Sequence, residues 1–262
     1  MKVYKSHFLE KESDITIISE SKSAIYDAKE CFYYHRKILD TFVAQNPEFL
    51  NSFSPLNIST DLKIIDLMTN TSKICDVGPM ATVAGAFADL MVEQMKSRQK
   101  EGQTTVRVAL VENGGEIKIH SDFPIKVALF AGFNELNLNM GFLIKKEDCP
   151  IGIGTSSSTF GHAVSLGQAD SVTIFAESAT LADGAATSVA NAVKGYDIEQ
   201  SIGLGLHLAE DIEGVRGAII SRENKIGQVG KLPKIFKIEG EKQEILKNKF
   251  NTQFLGDFEL IR

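Results

Sequence analysis

The sequence predicts an α+β fold in which an antiparallel sheet carries its helices on one face. Segments rich in β-branched residues are separated by short turns, as in hairpins of paired strands. Two longer segments instead place apolar residues every three or four positions, which is the period of an amphipathic helix. Strands and helices do not alternate along the chain. This order argues against a doubly wound α/β fold and favours consecutive strands that pair with one another.

Tight turns support the antiparallel pairing. The strand predicted over residues 104–111 runs into Asn113-Gly114-Gly115, where Asn-Gly and Gly-Gly tolerate positive φ angles. Residues 116–120 form the return strand, and a second hairpin is predicted over Glu223-Asn224. The remaining predicted strands cover residues 2–10, 14–20, 123–131, 137–144, 172–175, 216–221, 225–229 and 233–238.

Helix boundaries are marked by capping residues and prolines. The first predicted helix covers residues 22–44, with Ser21 as its N-cap and Asn46-Pro47 at its end. His35 lies on the apolar stripe of this helix and is expected to be buried rather than to bind a ligand. A second helix follows Pro79 and extends to residue 100, and its small residues permit close approach by another backbone or a ligand. Shorter helices are predicted over residues 61–70 and 197–209.

Composition limits the classes of function. The chain has 262 residues and a net charge of −6, and it has no run of lysine and arginine, which argues against a nucleic-acid surface. Its three cysteines are widely spaced, which indicates a reducing compartment. No run of about 18 apolar residues exists to span a membrane, and the N-terminus lacks the apolar core of a signal peptide. We therefore expect a cytoplasmic protein with one domain over residues 1–262; its oligomeric state is not predicted.

The stretch from residue 152 to 193 carries the main candidate chemistry. It begins with a small-residue segment, interpreted as a turn, and continues through a strand into a helix. Asp183 and Thr187 lie four residues apart, so they share one face of that helix. A carboxylate and a hydroxyl beside backbone carbonyls form a hard-oxygen site suited to Mg²⁺. The alternative is that Asp183 caps the helix and Thr187 lies on the surface.

Three segments offer backbone N–H groups for close contact with phosphates. They are the helix start at Gly78, the turn Asn113-Gly114-Gly115 and the hydroxyl-rich segment Gly154–Ser158. None has the spacing of a P-loop or of a G-x-G-x-x-G fingerprint. Together with Asp183 they indicate a nucleotide site assisted by a metal ion.

Two other chemistries remain open. A serine hydrolase would use Ser156, Ser157 or Ser158 as nucleophile and His162 as base, although no G-x-S-x-G elbow is present. Cysteine chemistry would use Cys75, whose pKa a nearby helix start would lower. A scaffold, or a flavin- or nucleotide-binding module without catalysis, is also compatible with the composition.

In their order, these motifs resemble those of the ApbE-like superfamily, which includes FAD- and magnesium-dependent flavin transferases. The chain is most similar to the uncharacterised ApbE-related family that lacks the lipoprotein leader. Residues 76–82 resemble a D-L-G-G-I-A-K-G segment, and Asn113–Glu116 resembles an N-x-G-G-D turn. Residues 155–157 resemble a T-S-G stretch, and Ala182–Thr187 resembles the metal motif A-D-A-L-A-T. The resemblance implies a T-fold type of α+β domain.

The resemblance also implies a site that holds Mg²⁺ and FAD. The metal ligands would be the carbonyl oxygens of Ala81 and Ala186 and the side chains of Asp183 and Thr187. His162 would act as base. The residues in contact with the nucleotide would be Gly78, Asn113, Gly114, Gly115, Thr155, Ser156 and Ser157.

The chain departs from the family pattern in its flavin-recognition half. Thr82 stands at the position of the family's lysine, and residues 164–167 replace a D-P-x-T-G segment. The chain has no tryptophan to stack on the isoalloxazine ring, which leaves Phe160 or Tyr34 for that role.

The expected function is to bind a flavin or another phosphate-bearing nucleotide together with a divalent metal. Its enzyme version is FMN transfer from FAD to a serine or threonine of a protein acceptor, or cleavage of the FAD pyrophosphate. The first alternative is a flavin- or nucleotide-binding module that performs no chemistry. The second is a thiol-dependent role in sulfur metabolism through Cys75.

Overall fold

Two antiparallel sheets form the framework of the structure, a computed structural model that describes residues 2–97, 105–128, 139–157, 167–238 and 258–260. In chain order the strands are β1 (Tyr4–Glu10), β2 (Ser13–Ser19), β3 (Val108–Asn113), β4 (Glu116–Ser121), β5 (Ile125–Ala128), β6 (Met140–Ile144), β7 (Ile151–Ser156), β8 (Ser171–Ala176), β9 (Val215–Arg222), β10 (Lys225–Gly230), β11 (Lys234–Lys237) and β12 (Phe258–Leu260). The large sheet has the order β1-β2-β3-β4-β7-β8-β9-β10, and the small sheet has the order β11-β6-β5-β12.

Helices cover one face of the large sheet, and the small sheet covers the other. The helices are α1 (Lys22–Gln45), α2 (Pro47–Asn51), α3 (Lys63–Cys75), α4 (Val83–Ser97), α5 (Ala179–Ala192) and α6 (Ile198–Asp211), and a 3₁₀ helix, Pro79–Thr82, leads into α4. The apolar core on the helical face divides between α1, α3 and α4 on one side and α5 and α6 on the other. The α+β prediction is confirmed, and the second sheet is an addition to it.

The core between the two sheets explains why the central strands are apolar on both faces. Every residue of β3 and of β8 is buried, because helices pack on one side of these strands and the small sheet packs on the other. Phe142 of β6 meets Phe175 of β8 edge to face, with 4.8 Å between the ring centroids. This contact ties the small sheet to the middle of the large one.

Most predicted boundaries are confirmed to within a few residues. Ser21 caps α1 by accepting a hydrogen bond from the N–H of Ala24, and His35 is buried as expected. The third helix is longer than predicted, since it extends to Cys75. The predicted strand over residues 123–131 is described only to Ala128, and its end lies outside the described residues.

The predicted turn that begins at Gly152 is wrong, because residues 151–156 form β7 in the middle of the large sheet. Its glycines instead provide room for α5, which lies directly on this strand. A Cβ atom on Gly152 would come within 2.2 Å of the Ser178 carbonyl carbon, and one on Gly154 within 2.5 Å of the Ala182 carbonyl. Close contact between helix and strand backbones requires glycine at both positions.

We expect Gly152→Ala to lower the free energy of unfolding by about 2–3 kcal/mol, because α5 must move away from β7. Gly203→Ala is the matched control. Gly203 lies inside α6, and a Cβ atom there would meet nothing within 4 Å. The control should be neutral or should stabilise the protein by about 0.5–1 kcal/mol. Urea denaturation measures both changes, and equal stabilities would contradict the close packing of α5 on β7.

A membrane-spanning helix is not found in the described residues. No single helix there is long and apolar enough to cross a bilayer. Helix α3 and the helical stretch Pro79–Ser97 meet that test only as a pair, and the pair is bent by 101°.

Candidate functional site

Asp183 lies where α5 meets the start of α4. Its Oδ2 atom accepts a hydrogen bond from the N–H of Gly85, at 2.9 Å, in the first turn of α4. The interpretation of Asp183 as the cap of its own helix is wrong, because Ser178 caps α5 by accepting from the N–H of Leu181. Asp183 is in the second turn of α5 and accepts a hydrogen bond from the N-terminus of the neighbouring helix α4 instead.

The local electrostatics favour a cation beside Asp183. Burial raises the pKa of Asp183 to about 7, although N–H groups of Gly85 and Ala84 stabilise its charged form. Burial likewise raises the pKa of Glu116 well above its usual range, and the nearby carboxylates of Asp183 and Glu112 raise it further. The charge of nearby Asp89 also raises the pKa of Asp183, so a cation bound beside these acids would favour their charged forms.

The β3–β4 turn reaches the same place from the sheet. Asn113 is buried, and its Nδ2 atom donates to the carbonyl oxygen of Ala84 at 3.2 Å. Gly114 and Gly115 have φ angles of 67° and 122°, as their sequence predicts, and the N–H of Gly115 donates to Glu112. Asn113 therefore ties the turn to the start of α4, directly beside the amide groups that Asp183 accepts.

β7 contributes the hydroxyl-rich segment that the sequence predicts to contact phosphates. The backbone N–H of Thr155 donates to the carboxylate of Glu116, and its hydroxyl lies 3.1 Å from that of Thr173 on β8. Ser156 is the last residue of β7 and pairs with Val172, while Ser157 follows the strand. Gly154 lies against the backbone of α5 at Asp183. The hydroxyl-rich stretch thus begins at the end of a strand beneath Asp183.

The segment Gly78–Thr82 packs on α5 rather than standing free of it. Thr82 is buried, and its hydroxyl donates to the Pro79 carbonyl at 2.8 Å. A Cβ atom on Gly184 would meet the Thr82 methyl at 2.9 Å, so Thr82 packs on α5 at the residue that follows Asp183. Ala81 lies between these contacts, and its N–H donates to the Gly78 carbonyl at 3.0 Å.

Hydroxyl and carbonyl oxygens beside a carboxylate are the ligand types that Mg²⁺ prefers. Thr187 lies one turn further along α5 and is partly exposed, whereas Ala186 is buried beneath it. Among the described residues no three His, Cys, Asp or Glu side chains are grouped to hold a metal ion. A metal site here would therefore need hydroxyl and carbonyl oxygens besides the Asp183 carboxylate, which retains acceptor capacity beyond its amide hydrogen bonds.

The structure describes Cys75 of the proposed cysteine chemistry, but only part of the residues of the proposed serine hydrolase. His162 and Ser158 lie outside the described residues, as does Phe160. Cys75 is buried at the C-terminal end of α3, not at a helix start, and burial raises the pKa of its thiol to about 12. The expectation of a lowered Cys75 pKa is therefore wrong, and the thiol is protonated at neutral pH.

Comparison with known proteins decides the family. A family model described as "AbpE bacteria" matches residues 2–207. The chain belongs to this ApbE-like family. It is 38% identical over 253 residues to a UPF0280 protein of Methanococcus vannielii, covering 95% of this chain and 99% of the relative. It is 34% identical over 239 residues to a UPF0280 protein of Methanocaldococcus jannaschii, covering 90% and 94%.

Solved structures of this ApbE-like fold agree with the arrangement of the chain. Flavin transferase ApbE from Vibrio cholerae matches with a TM-score of 0.53 and 12% identity, covering 90% of this chain and 97% of that one. The flavinyl transferase ApbE of Pseudomonas stutzeri, in its apo form, matches with a TM-score of 0.53 and 14% identity, covering 87% and 95%. At these identities the likeness establishes the fold.

Two features of the site were not predicted. Glu116 is predicted only as the end of a turn and the first residue of a strand, yet the charge of Asp183 acts on its carboxylate. Asp89 of α4 binds the first turn of α5 and forms an ion pair with Lys118 at 3.0 Å. A lone acid on the otherwise apolar stripe of α4 was the available signal for Asp89.

Proposed function

We propose that this ApbE-like protein binds a flavin nucleotide, or another nucleotide with a pyrophosphate group, together with Mg²⁺ at Asp183. The observation that supports this proposal is the convergence of four separate segments on one carboxylate. The start of α4, the β3–β4 turn, the end of β7 and the second turn of α5 all meet there.

Each segment has a role in the proposed site. Asp183 and Thr187 would hold the metal ion with the carbonyl oxygens of Ala81 and Ala186. Mg²⁺, when bound, would supply positive charge that stabilises the pyrophosphate as its bond breaks. A Cβ atom on Gly115 would meet no described atom within 4 Å, so the turn leaves room for a ligand there, and Asn113 fixes this turn against α4.

The enzyme form of the proposal is transfer of FMN from FAD. A serine or threonine hydroxyl of the acceptor attacks the FMN phosphorus, the pyrophosphate bond breaks, and AMP leaves. The hydroxyl proton passes to His162 as general base. With water in place of the hydroxyl, the same residues would hydrolyse FAD to FMN and AMP. The binding form of the proposal keeps the ligand and performs no chemistry.

A titration of the metal-stripped protein with FAD, with and without Mg²⁺, tests the proposal. We expect FAD binding to depend on Mg²⁺, as measured by the change in flavin fluorescence. We also expect release of AMP, detected by chromatography. Binding without AMP would support the binding form. Absence of binding to FAD, FMN and ADP in the presence of Mg²⁺ would overturn the proposal.

His162→Ala separates the enzyme form from the binding form. We expect this variant to bind FAD as the wild type does and to lose AMP release, by about 10²–10⁴-fold, because only proton transfer is removed. Single-turnover rates and a binding isotherm measure the two quantities. Unchanged turnover would exclude His162 as the base.

A further inference from the structure

Three of the chain's five tyrosines lie on the outer surface of α1. Tyr26, Tyr33 and Tyr34 are 62%, 44% and 65% exposed. The other side of this helix is buried, where it packs on β2, α3 and α4. Tyrosine is enriched where proteins associate, because its ring buries a large apolar area while its hydroxyl can still form a hydrogen bond. The cluster of exposed tyrosines therefore indicates an interaction surface.

Two charged residues complete this surface. Tyr26, Glu30, Tyr33 and Lys37 follow one another at spacings of four, three and four residues, so they form one stripe along the helix. All four side chains are exposed. We call these four residues the outer stripe of α1. It carries one negative and one positive charge, separated by two helical turns.

The charges of the outer stripe differ from those on the neighbouring side of α1. There, Arg36 forms ion pairs with Glu12 and Asp40, at 2.9 and 3.1 Å. Glu30 and Lys37, in contrast, have no ion-pair partner among the described residues. Both charges of the outer stripe are thus available to a group outside the molecule.

The outer stripe is complementary to itself. In two antiparallel copies of α1, related by a two-fold axis between residues 33 and 34, Glu30 lies level with Lys37 of the partner subunit, and this pair occurs twice. Tyr33 and Tyr34 lie at the axis, each near its own symmetry mate. Packed helices are about 8–10 Å apart, a gap that glutamate, lysine and tyrosine side chains can fill. Such self-complementarity is what the interface of a symmetric dimer requires.

We propose that α1 forms the interface of a homodimer, in which the outer stripe of one copy packs antiparallel on the same stripe of a second copy. The charge pattern identifies the occupant, because one rotation places both unpaired charges of each copy opposite their complements. The tyrosines supply apolar contact area, and the ion pairs fix the orientation of the helices. The inference does not depend on the proposed function.

Charge reversal tests this interface. Sedimentation equilibrium of the full chain over a concentration series should show monomers and dimers in equilibrium. Glu30→Lys places like charges opposite one another and should raise the dimer Kd on the order of 10-fold or more, and Lys37→Glu should do the same. Both positions are exposed, so the fold should persist, which circular dichroism measures.

Glu210→Lys is the matched control for Glu30→Lys. Glu210 is exposed on α6, which packs on β9 and β10 at the opposite edge of the large sheet from β1. The substitution makes the same change of net charge on another helix surface. The dimer Kd should therefore equal that of the wild type. A weaker dimer in this control, equal to that of Glu30→Lys, would attribute the effect to net charge and overturn the proposal.

A mixture of the two charge-reversed proteins tests the pairing itself. The outer stripe of Glu30→Lys is wholly positive and that of Lys37→Glu is wholly negative. The two proteins should form a heterodimer on the order of 10-fold more tightly than either forms a homodimer. The double variant Glu30→Lys/Lys37→Glu should recover the wild-type Kd, because each ion pair is restored with its charges exchanged.

Three other results would overturn the proposal. A monomer at every concentration would mean that a second copy does not cover the outer stripe. A dimer whose Kd neither single variant changes would have its interface elsewhere. Weaker dimers without recovery in the mixture and in the double variant would show that Glu30 and Lys37 do not pair between copies.

Discussion

Mg²⁺-dependent FAD binding is expected to disappear in the Asp183→Asn variant, with affinity falling on the order of 100-fold or more. The amide removes the negative charge and leaves a neutral oxygen that still accepts the N–H of Gly85. The contact between α5 and α4 is therefore retained, and the fold should persist. Circular dichroism and the binding titration measure the two effects. Wild-type affinity in this variant would exclude Asp183 as a metal ligand.

The same substitution should stabilise the metal-free protein above neutral pH. Asp183 is protonated below a pKa of about 7 in the folded state, whereas the unfolded chain loses this proton near pH 4. Between these values the folded state binds more protons than the unfolded state, so the free energy of unfolding falls as pH rises. The decrease is about 2–4 kcal/mol for the metal-free wild type and should be absent from Asp183→Asn.

Mg²⁺ should offset this loss of stability in the wild type. A bound cation favours the charged carboxylate, so wild-type protein at pH 8 should gain about 2.7 kcal/mol at a 100-fold excess over Kd, while Asp183→Asn gains nothing. Thermal denaturation with and without Mg²⁺ measures the stabilisation of the wild type and of Asp183→Asn. Asp61→Asn is the control, because Asp61 is exposed and the substitution removes the same charge at the protein surface. A similar response to Mg²⁺ in both variants would contradict the assignment.

The sequence was most informative where local rules act. The Asn-Gly-Gly turn, the Ser21 cap and the Asn46-Pro47 boundary depend on a few adjacent residues, and all three are confirmed. The small residues at Gly152 and Gly154 were misread because glycine permits both a turn and close packing. Only the position of α5, set by contacts far along the chain, determines that they lie in a strand.

In the candidate site, too, local features were predicted and contacts between distant residues were not. The spacing of Asp183 and Thr187 correctly indicated one helix face, since both lie in α5. What Asp183 does there could not be predicted, because its hydrogen-bond partner Gly85 is 98 residues away in the chain. Glu116 and Asp89 were missed for a similar reason: Thr155 and Asp183 for Glu116, and the first turn of α5 for Asp89, become neighbours only in the fold. Resemblance to a family compensated in part, since it linked the four segments before their contacts were known.

The second large effect is expected for substitution of Asp89. This residue lies in α4, and its carboxylate accepts hydrogen bonds from the N-terminus of α5. Its carboxylate accepts the N–H groups of Ala179 and Thr180, at 3.0 and 2.8 Å, and the hydroxyls of Ser178 and Thr180, at 2.8 and 2.6 Å. It also pairs with Lys118, and both side chains are largely buried. Asp89→Ala should lower the free energy of unfolding by about 3–5 kcal/mol, because it leaves a buried ammonium and several donors without their acceptor.

An exposed ion pair provides the comparison for Asp89. The Nζ atom of Lys63 lies 2.7 Å from the Oε2 atom of Glu93, but more than half of each side chain is exposed. Glu93→Ala should therefore change the free energy of unfolding by less than about 1 kcal/mol. Urea denaturation of both variants measures the contrast, and a small effect at both positions would show that the Asp89 network contributes little to stability.

Asp89 and Asp183 make a reciprocal pair, since each binds the first turn of the other's helix, yet their substitutions should act on different properties. Asp89→Ala should reduce stability while the remaining folded protein keeps most of its Mg²⁺ affinity, because Asp89 bonds amides and Lys118 and acts on Asp183 only through its charge. Asp183→Asn should abolish Mg²⁺ affinity and leave metal-free stability intact or higher. Measuring Mg²⁺ binding to Asp89→Ala under conditions where it is folded tests this separation. A loss of affinity there equal to that of Asp183→Asn would mean that both acids act only through the packing of α4 on α5.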